Sequence, residues 1–148
     1  MDYPPLVKLS GEEDYQRRYE YLYCRKPVVT FDGIAVRFRK DQFRHCFFES
    51  TKRNNLKDQF SIRRAERMDW IQVALQDPES ERYQGWDRDK KCHDKSRRVA
   101  IVLGTYVVVI VITGDKSANF ITAYLADSAE KSGTLPTVEK IRLGPKWA

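Results

Sequence analysis

Residues Val99–Ala126 read VAIVLGTYVVVIVITGDKSANFITAYLA, and this stretch decides the fold. β-Branched and aromatic side chains crowd three runs, Val99–Leu103, Tyr106–Thr113 and Asn119–Ala126, and such residues suit a pleated sheet. Gly104-Thr105 is a two-residue turn and Gly114–Ser117 a polar one, so the runs form three consecutive antiparallel strands. The middle run is apolar without a break from Val107 to Ile112, which places it at the centre of the meander. Alternation along the last run predicts Ile121, Ala123 and Leu125 facing the helices across the core. Phe120, Thr122, Tyr124 and Ala126 then share the opposite face. A hydroxyl and a phenol would stand side by side there, open to a ligand; the plainer alternative is a solvated face of ordinary strand residues.

Upstream the apolar period lengthens. From Gly11 to Lys26, Tyr15, Tyr19, Leu22 and Tyr23 recur at three and four, with Glu12, Glu13 and Asp14 in the first turn and Pro27 beyond the end, which predicts an amphipathic helix. Val28–Phe31 and Ile34–Phe38 flank Asp32-Gly33, a hairpin signal. Phe43 and Phe47 pair on a helix over Asp41–Glu49 that places His45 on a different side, and Thr51–Gln59 reads as a basic loop. Ser61 then caps one helix running to about Gln76, with Ile62, Ala65, Met68, Ile71 and Leu75 as its stripe and Asp77-Pro78 closing it. Pro78–Ser96, dense in charge around Trp86, predicts a long exposed loop. Lys131–Pro136 reads as a loop and Val138–Leu143 as one short further element. The fold class is α+β, N-terminal helices packed on a C-terminal antiparallel meander.

The chain has 148 residues and carries 27 Lys+Arg against 21 Asp+Glu, a formal net charge of +6. With 41% apolar and 12% aromatic residues it can bury a core, and 32% charge excludes an integral membrane protein. The apolar run Tyr106–Ile112 is too short to cross a bilayer, and Met1–Ser10 lacks a basic-then-apolar signal pattern. The expectation is one cytoplasmic domain over residues 1–148. Cys24, Cys46 and Cys92 are odd in number and have no C-x-x-C spacing, so reduced thiols are expected, with neither a disulfide framework nor a metal site.

A basic surplus of this size fits an anionic partner, nucleic acid first, although solvated lysines give the same sum. His45, beside Arg44, carries the side chain type suited to proton exchange near neutral pH; a surface histidine is the alternative. His93 lies in the charged segment and reads as structural. Lys57, Arg63, Arg64 and Arg67 gather near the N-terminal end of the capped helix, where cations oppose the helix dipole and a bound anion would relieve them. Pairing with Asp58, Glu66 or Asp69 explains them equally well.

The order of these features resembles a family. A helix-borne His45, a capped basic helix ending in Asp77-Pro78, Gly85-Trp86-Asp87, a meander and the strand Phe120-Ile121-Thr122-Ala123-Tyr124 are similar to the barnase, EndoU, colicin and RelE-like (BECR) ribonuclease superfamily. The likeness is to its prophage and contact-dependent toxin members, and it spans roughly Arg37 to Tyr124. It implies a metal-independent endoribonuclease without cofactor, cutting RNA such as tRNA by attack of the 2′-hydroxyl on the adjacent phosphate to leave a 2′,3′-cyclic phosphate. On that resemblance His45 is the acid or base. Thr122 hydrogen-bonds a phosphoryl oxygen, and Tyr124 stacks on a base or donates a proton. Lys57 with Arg63 or Arg64 clamps phosphate, while Arg67 and Trp86 join the substrate contacts. Glu49 and Glu66 are the alternatives for a carboxylate base. The resemblance also implies an acidic immunity protein or antitoxin as partner and action in the cytoplasm, including that of a target cell. A non-catalytic RNA- or DNA-binding module and a phage accessory protein are the competing classes. Cations crowd Arg37–Lys40, Lys57–Arg67 and Arg88–Arg98 and are absent from Val99–Thr113, which predicts one basic wall facing the hydroxyl-bearing strand.

Overall fold

The computed structural model describes residues 3–49, 59–87, 92–126, 141, 145 and 146, with backbone alone for 86, 87 and 92–97. Helix α1 (Glu12–Tyr19) continues as a π-helical turn (Glu20–Cys24), followed by β1 (Val28–Val29), β2 (Ala35–Arg37), α2 (Gln42–Phe47), β3 (Phe48–Glu49) and β4 (Gln59–Phe60). Then come α3 (Ile62–Ala65), α4 (Met68–Gln76), β5 (Glu81–Asp87), β6 (Cys92–Leu103), β7 (Tyr106–Gly114) and β8 (Ser117–Leu125). The main sheet has the order β1-β2-β8-β7-β6-β5, and β3 and β4 pair separately. The fold is α+β, with helices preceding a C-terminal meander.

The continuous apolar run of β7 is explained by two cores. Tyr106, Val108 and Ile110 face the helices, where Tyr19, Phe47, Met68, Ile71 and Leu75 are fully buried. Val107 points the other way, into a smaller cluster with Tyr83, Ala100, Val102, Tyr124 and Ala126, on which Val109 and Ile141 pack. The sheet curls: β1 and β5 are its outer strands, yet Arg82 of β5 pairs with Asp32 in the turn after β1. That turn needs Gly33 at φ +90°, a backbone conformation that glycine tolerates without Cβ strain.

Three expectations change. Within Pro78–Ser96, expected as a loop, Glu81–Asp87 is β5 and Cys92–Ser96 the start of β6, paired from Glu81↔Val102 to Asp87↔Cys92, while residues 88–91 lie outside the described ones. An outer strand lacking apolar alternation resembles a loop in sequence, and that hid it. The ladder shifts register between Gln84 and Gly85, where a Cβ on residue 85 would lie 2.3 Å from Cγ of Arg98. Glycine lets the arginine stem cross there. The helix after Ser61 is broken: Ser61 caps α3 by accepting from the Arg64 N–H, but the chain turns at Glu66-Arg67 before α4. The Glu66 carbonyl accepts from the Val7 N–H at 2.9 Å, so the N-terminal strand of chain is laid into the break. The break also turns Ile62 out to solvent, 56% exposed, instead of into the stripe. The helix expected over Asp41–Glu49 ends at Phe47, and Phe48–Glu49 forms β3. Of Thr51–Gln59 only Gln59 is described, in β4, and Lys131–Pro136 and most of Val138–Leu143 lie outside the described residues.

The helical core is rich in phenols whose hydroxyls reach main-chain carbonyls. Tyr19 donates to Arg39, Tyr23 to Met68 and Tyr106 to Arg67. Desolvation is the largest influence on each and pushes all three above the ordinary value of 10.0. The unfolded chain therefore loses these protons first as pH climbs past 10.0, and it binds fewer protons than the folded chain. Stability is expected to be fully present below that pH and to fall above it. Urea midpoints measured across the alkaline range should decline, while tyrosinate absorbance rises with unfolding; a flat midpoint would contradict the burial.

Candidate functional site

The site is assembled by β8, α2 and β2. Along β8, Ala118 and Phe120 are buried in the helical core, and so is Ala123, three residues after Phe120. Simple alternation cannot do this. The register explains it: Val109 pairs with Thr122 and Ile110 with Phe120, so Ile121 is an extra residue, a β-bulge. The bulge corrects the expected faces. Phe120 belongs to the helical core, stacked on Phe38 at 4.6 Å between centroids, and Ile121 is only half-buried. Thr122 and Tyr124 do share the face away from the helices. Thr122 is half-buried, whereas Tyr124 is 6% exposed in the smaller cluster, so its ring offers little surface for stacking a base.

Beyond Asn119, β8 loses its neighbour β2 and would present free carbonyls on that side. Helix α2 covers this edge. Gln42 Nε2 donates to the Ile121 carbonyl at 2.7 Å, and Cys46 Sγ to that of Ala123 at 3.6 Å. Phe43 and Phe47 point into the helical core. With about 100° per residue, His45 projects about 160° away from both phenylalanines and about 100° from Cys46. It is exposed, and it projects away from the face of α2 that packs into the helical core.

Among the described residues the cations do not form one wall. Arg64 joins the site from α3: its Nη1 donates to the Cys46 carbonyl at 3.1 Å, next in sequence to His45, and its Nε lies 3.7 Å from Glu49. Glu49 is thus paired with Arg64, and Glu66 holds Lys8 at 2.6 Å. Arg63 is exposed on α3. Arg67 is mostly buried on the helical side, with Nη1 on the Arg63 carbonyl at 2.6 Å and its guanidinium 5.2 Å from the Trp70 ring. It is built into the core rather than held ready for a phosphate. Arg98 shares the face of Thr122 but leans across Gly85 towards β5. Lys57 lies outside the described residues. Trp86 and His93 are register partners on β5 and β6, three and two strands away from β8.

Sequence reasoning counted Arg37 in the basic stretch Arg37–Lys40 but gave it no substrate contact of its own. In β2, Val36 and the following Phe38 are buried in the helical core, so Arg37 faces the other way, beside its register partner Asn119. The alternation Val36-Arg37-Phe38 was the available signal. Gln42 had none, because its partner is a carbonyl exposed only by the bulge.

Cys24 and Cys46 are free thiols, and desolvation pushes that of Cys24 up. Among the described residues no group of three or more His, Cys, Asp and Glu side chains is placed to hold a metal, and no helix is long and apolar enough to cross a membrane. No family model matches the chain, and neither a curated protein nor a solved structure is significantly similar to it.

Proposed function

We propose that this protein is a metal-independent endoribonuclease that acts at the bulged edge of β8. The observation that carries the reading is the clamp of α2 on the Ile121 and Ala123 carbonyls, which holds the helix bearing the exposed His45 against the edge of the strand bearing Thr122. Transesterification at a ribose phosphate needs a proton acceptor for the 2′-hydroxyl, a donor for the departing oxygen, and hydrogen bonds to the charge that gathers on the phosphoryl oxygens. His45 supplies the proton transfer and the Thr122 hydroxyl the hydrogen bond. Arg64, fixed to the carbonyl beside His45, is the nearest positioned cation from α3. Tyr124 follows Thr122 on the same face and is the candidate for the second proton transfer. In the step itself the 2′-oxygen bonds to phosphorus and the 5′-oxygen leaves, taking up a proton. The products are a 2′,3′-cyclic phosphate and a 5′-hydroxyl, and no water is consumed. The +6 charge suits the polyanion, and an acidic inhibitor protein covering the same face is the partner this function would call for.

Incubation of the purified protein with tRNA and with a labelled transcript, in the presence of EDTA, is expected to give fragments ending in cyclic phosphate. The burial of Tyr124 favours one competitor, a module that binds RNA through the same face without cutting it. Salt-dependent binding with intact RNA would establish that reading and remove ours.

A further inference from the structure

We propose that Arg37 binds a phosphate next to the one that reacts, so that the β2–β8 seam is a track for single-stranded RNA. This rests on the reacting phosphate lying at Thr122, as in the function proposed above.

Arg37 is exposed, and its side chain makes no ion pair or hydrogen bond among the described residues. Its peers are committed: Arg18 meets Asp69, Arg39 meets Asp41, Arg64 meets Glu49 and Arg82 meets Asp32. A free guanidinium on a rigid strand keeps its planar fork for a bidentate phosphate contact. Its place is set by the sheet rather than by a loop. Val36 and Phe38 on either side are anchored in the helical core, and the parallel register holds Arg37 against Asn119.

From Asn119 to Thr122 the strand advances about 7 Å, because the bulge sets these three steps against only two of β7, from Val111 to Val109. An arginine side chain spans much of that interval, and the next phosphate of an extended strand falls within it. The half-buried Asn119 and Ile121 lie between, so the seam offers one amide and one small apolar surface under the intervening nucleotide. Duplex RNA does not fit the chemistry. In-line attack requires the 2′-oxygen, the phosphorus and the leaving oxygen to align, and stacked A-form geometry holds them out of line. The substrate class is therefore an unpaired segment, such as a loop, of more than two nucleotides.

The test uses 2′-deoxy oligonucleotides, which lack the attacking hydroxyl and so report binding without reaction. A dinucleotide carries the single phosphate of the reacting site; a tetranucleotide carries its neighbours as well. Affinities are read by chemical-shift titration for wild type, Arg37→Ala and Arg37→Lys. We expect Arg37→Ala to weaken the tetranucleotide about tenfold, to leave the dinucleotide unchanged, and to reduce the salt slope of tetranucleotide binding by about 0.7. Arg37→Lys should fall between, keeping the charge without the fork. Equal losses on both lengths, no loss on either, or no wild-type binding of the tetranucleotide would overturn the assignment. Thermal melting of each variant serves as the folding control, and an exposed strand arginine should leave it unmoved. Because the probes cannot be cut, a protein that binds them with this length dependence yet leaves RNA intact refutes the nuclease reading alone. Cleavage of RNA without the length dependence refutes the role of Arg37 alone.

Discussion

His45→Ala is expected to lower RNA cleavage by about 10²–10⁴-fold, the usual contribution of a positioned acid or base. That corresponds to about 3–5 kcal/mol of transition-state stabilisation. The loss should appear in kcat, since an imidazole that moves a proton contributes little to holding the ground state. Folding should be untouched, because His45 projects away from the packed face of α2 and is exposed. The measurement is initial rates on a labelled transcript with EDTA present, with thermal melting alongside. Cleavage by the variant at the wild-type rate would dismiss His45 from the chemistry, even if the protein still cut RNA. Thr122→Ala gives a second reading of the same geometry. If its hydroxyl meets the phosphoryl oxygen only as charge develops there, kcat falls and KM stays. If both variants lose binding instead, the face holds RNA without reacting on it.

Much of the fold was legible because local chemistry and global packing agree. Asp32-Gly33 marks its hairpin, Ser61 caps its helix, and the β-branched runs after Val99 form the meander in the expected order. The parts that were hidden depend on partners distant in sequence. Nothing in residues 61–76 announces the turn at Glu66-Arg67, because the group that uses it is the Val7 N–H. The outer strand β5 is held by β6 on one side and, at Tyr83 and Gln84, by residues 145 and 146 on the other. Its stability therefore owes little to its own pattern. The candidate site divides likewise. His45 and Thr122 were visible as residue types on recognisable elements, and the structure sets those elements against each other, α2 on the edge of β8. Arg67 looked equally eligible from composition, but the stacking of its guanidinium near Trp70 removes it. Arg37 needed the parity of β2 to be known. The decisive displacement is one residue long, the bulge at Ile121, which no period-two reading contains.

That bulge makes a prediction about stability that separates the two readings of β8. Phe120→Ala is expected to cost about 3–5 kcal/mol, as for a large aromatic removed from a closed core. Phe120 is 1% exposed, stacks on Phe38, and lies in the core that also holds Tyr19, Tyr23 and Ile110. Little around it can collapse into the space, because Phe38 is itself stacked on Tyr23 at 4.6 Å. Ile121→Ala should cost about 1 kcal/mol or less, since a half-buried side chain loses only part of its transfer free energy and leaves no closed cavity. A regular strand predicts the reverse order, with Ile121 in the helical core and Phe120 on the other face. Urea denaturation of the two variants decides between them, read at a common slope so that the comparison concerns stability rather than the extent of unfolding. The result also bears on the site. Ile121 is the residue whose carbonyl receives Gln42, so the seat of α2 on the edge of β8 depends on the bulge. If Ile121→Ala proved the more damaging substitution, the strand would be regular and the site would have to be sought elsewhere on the sheet.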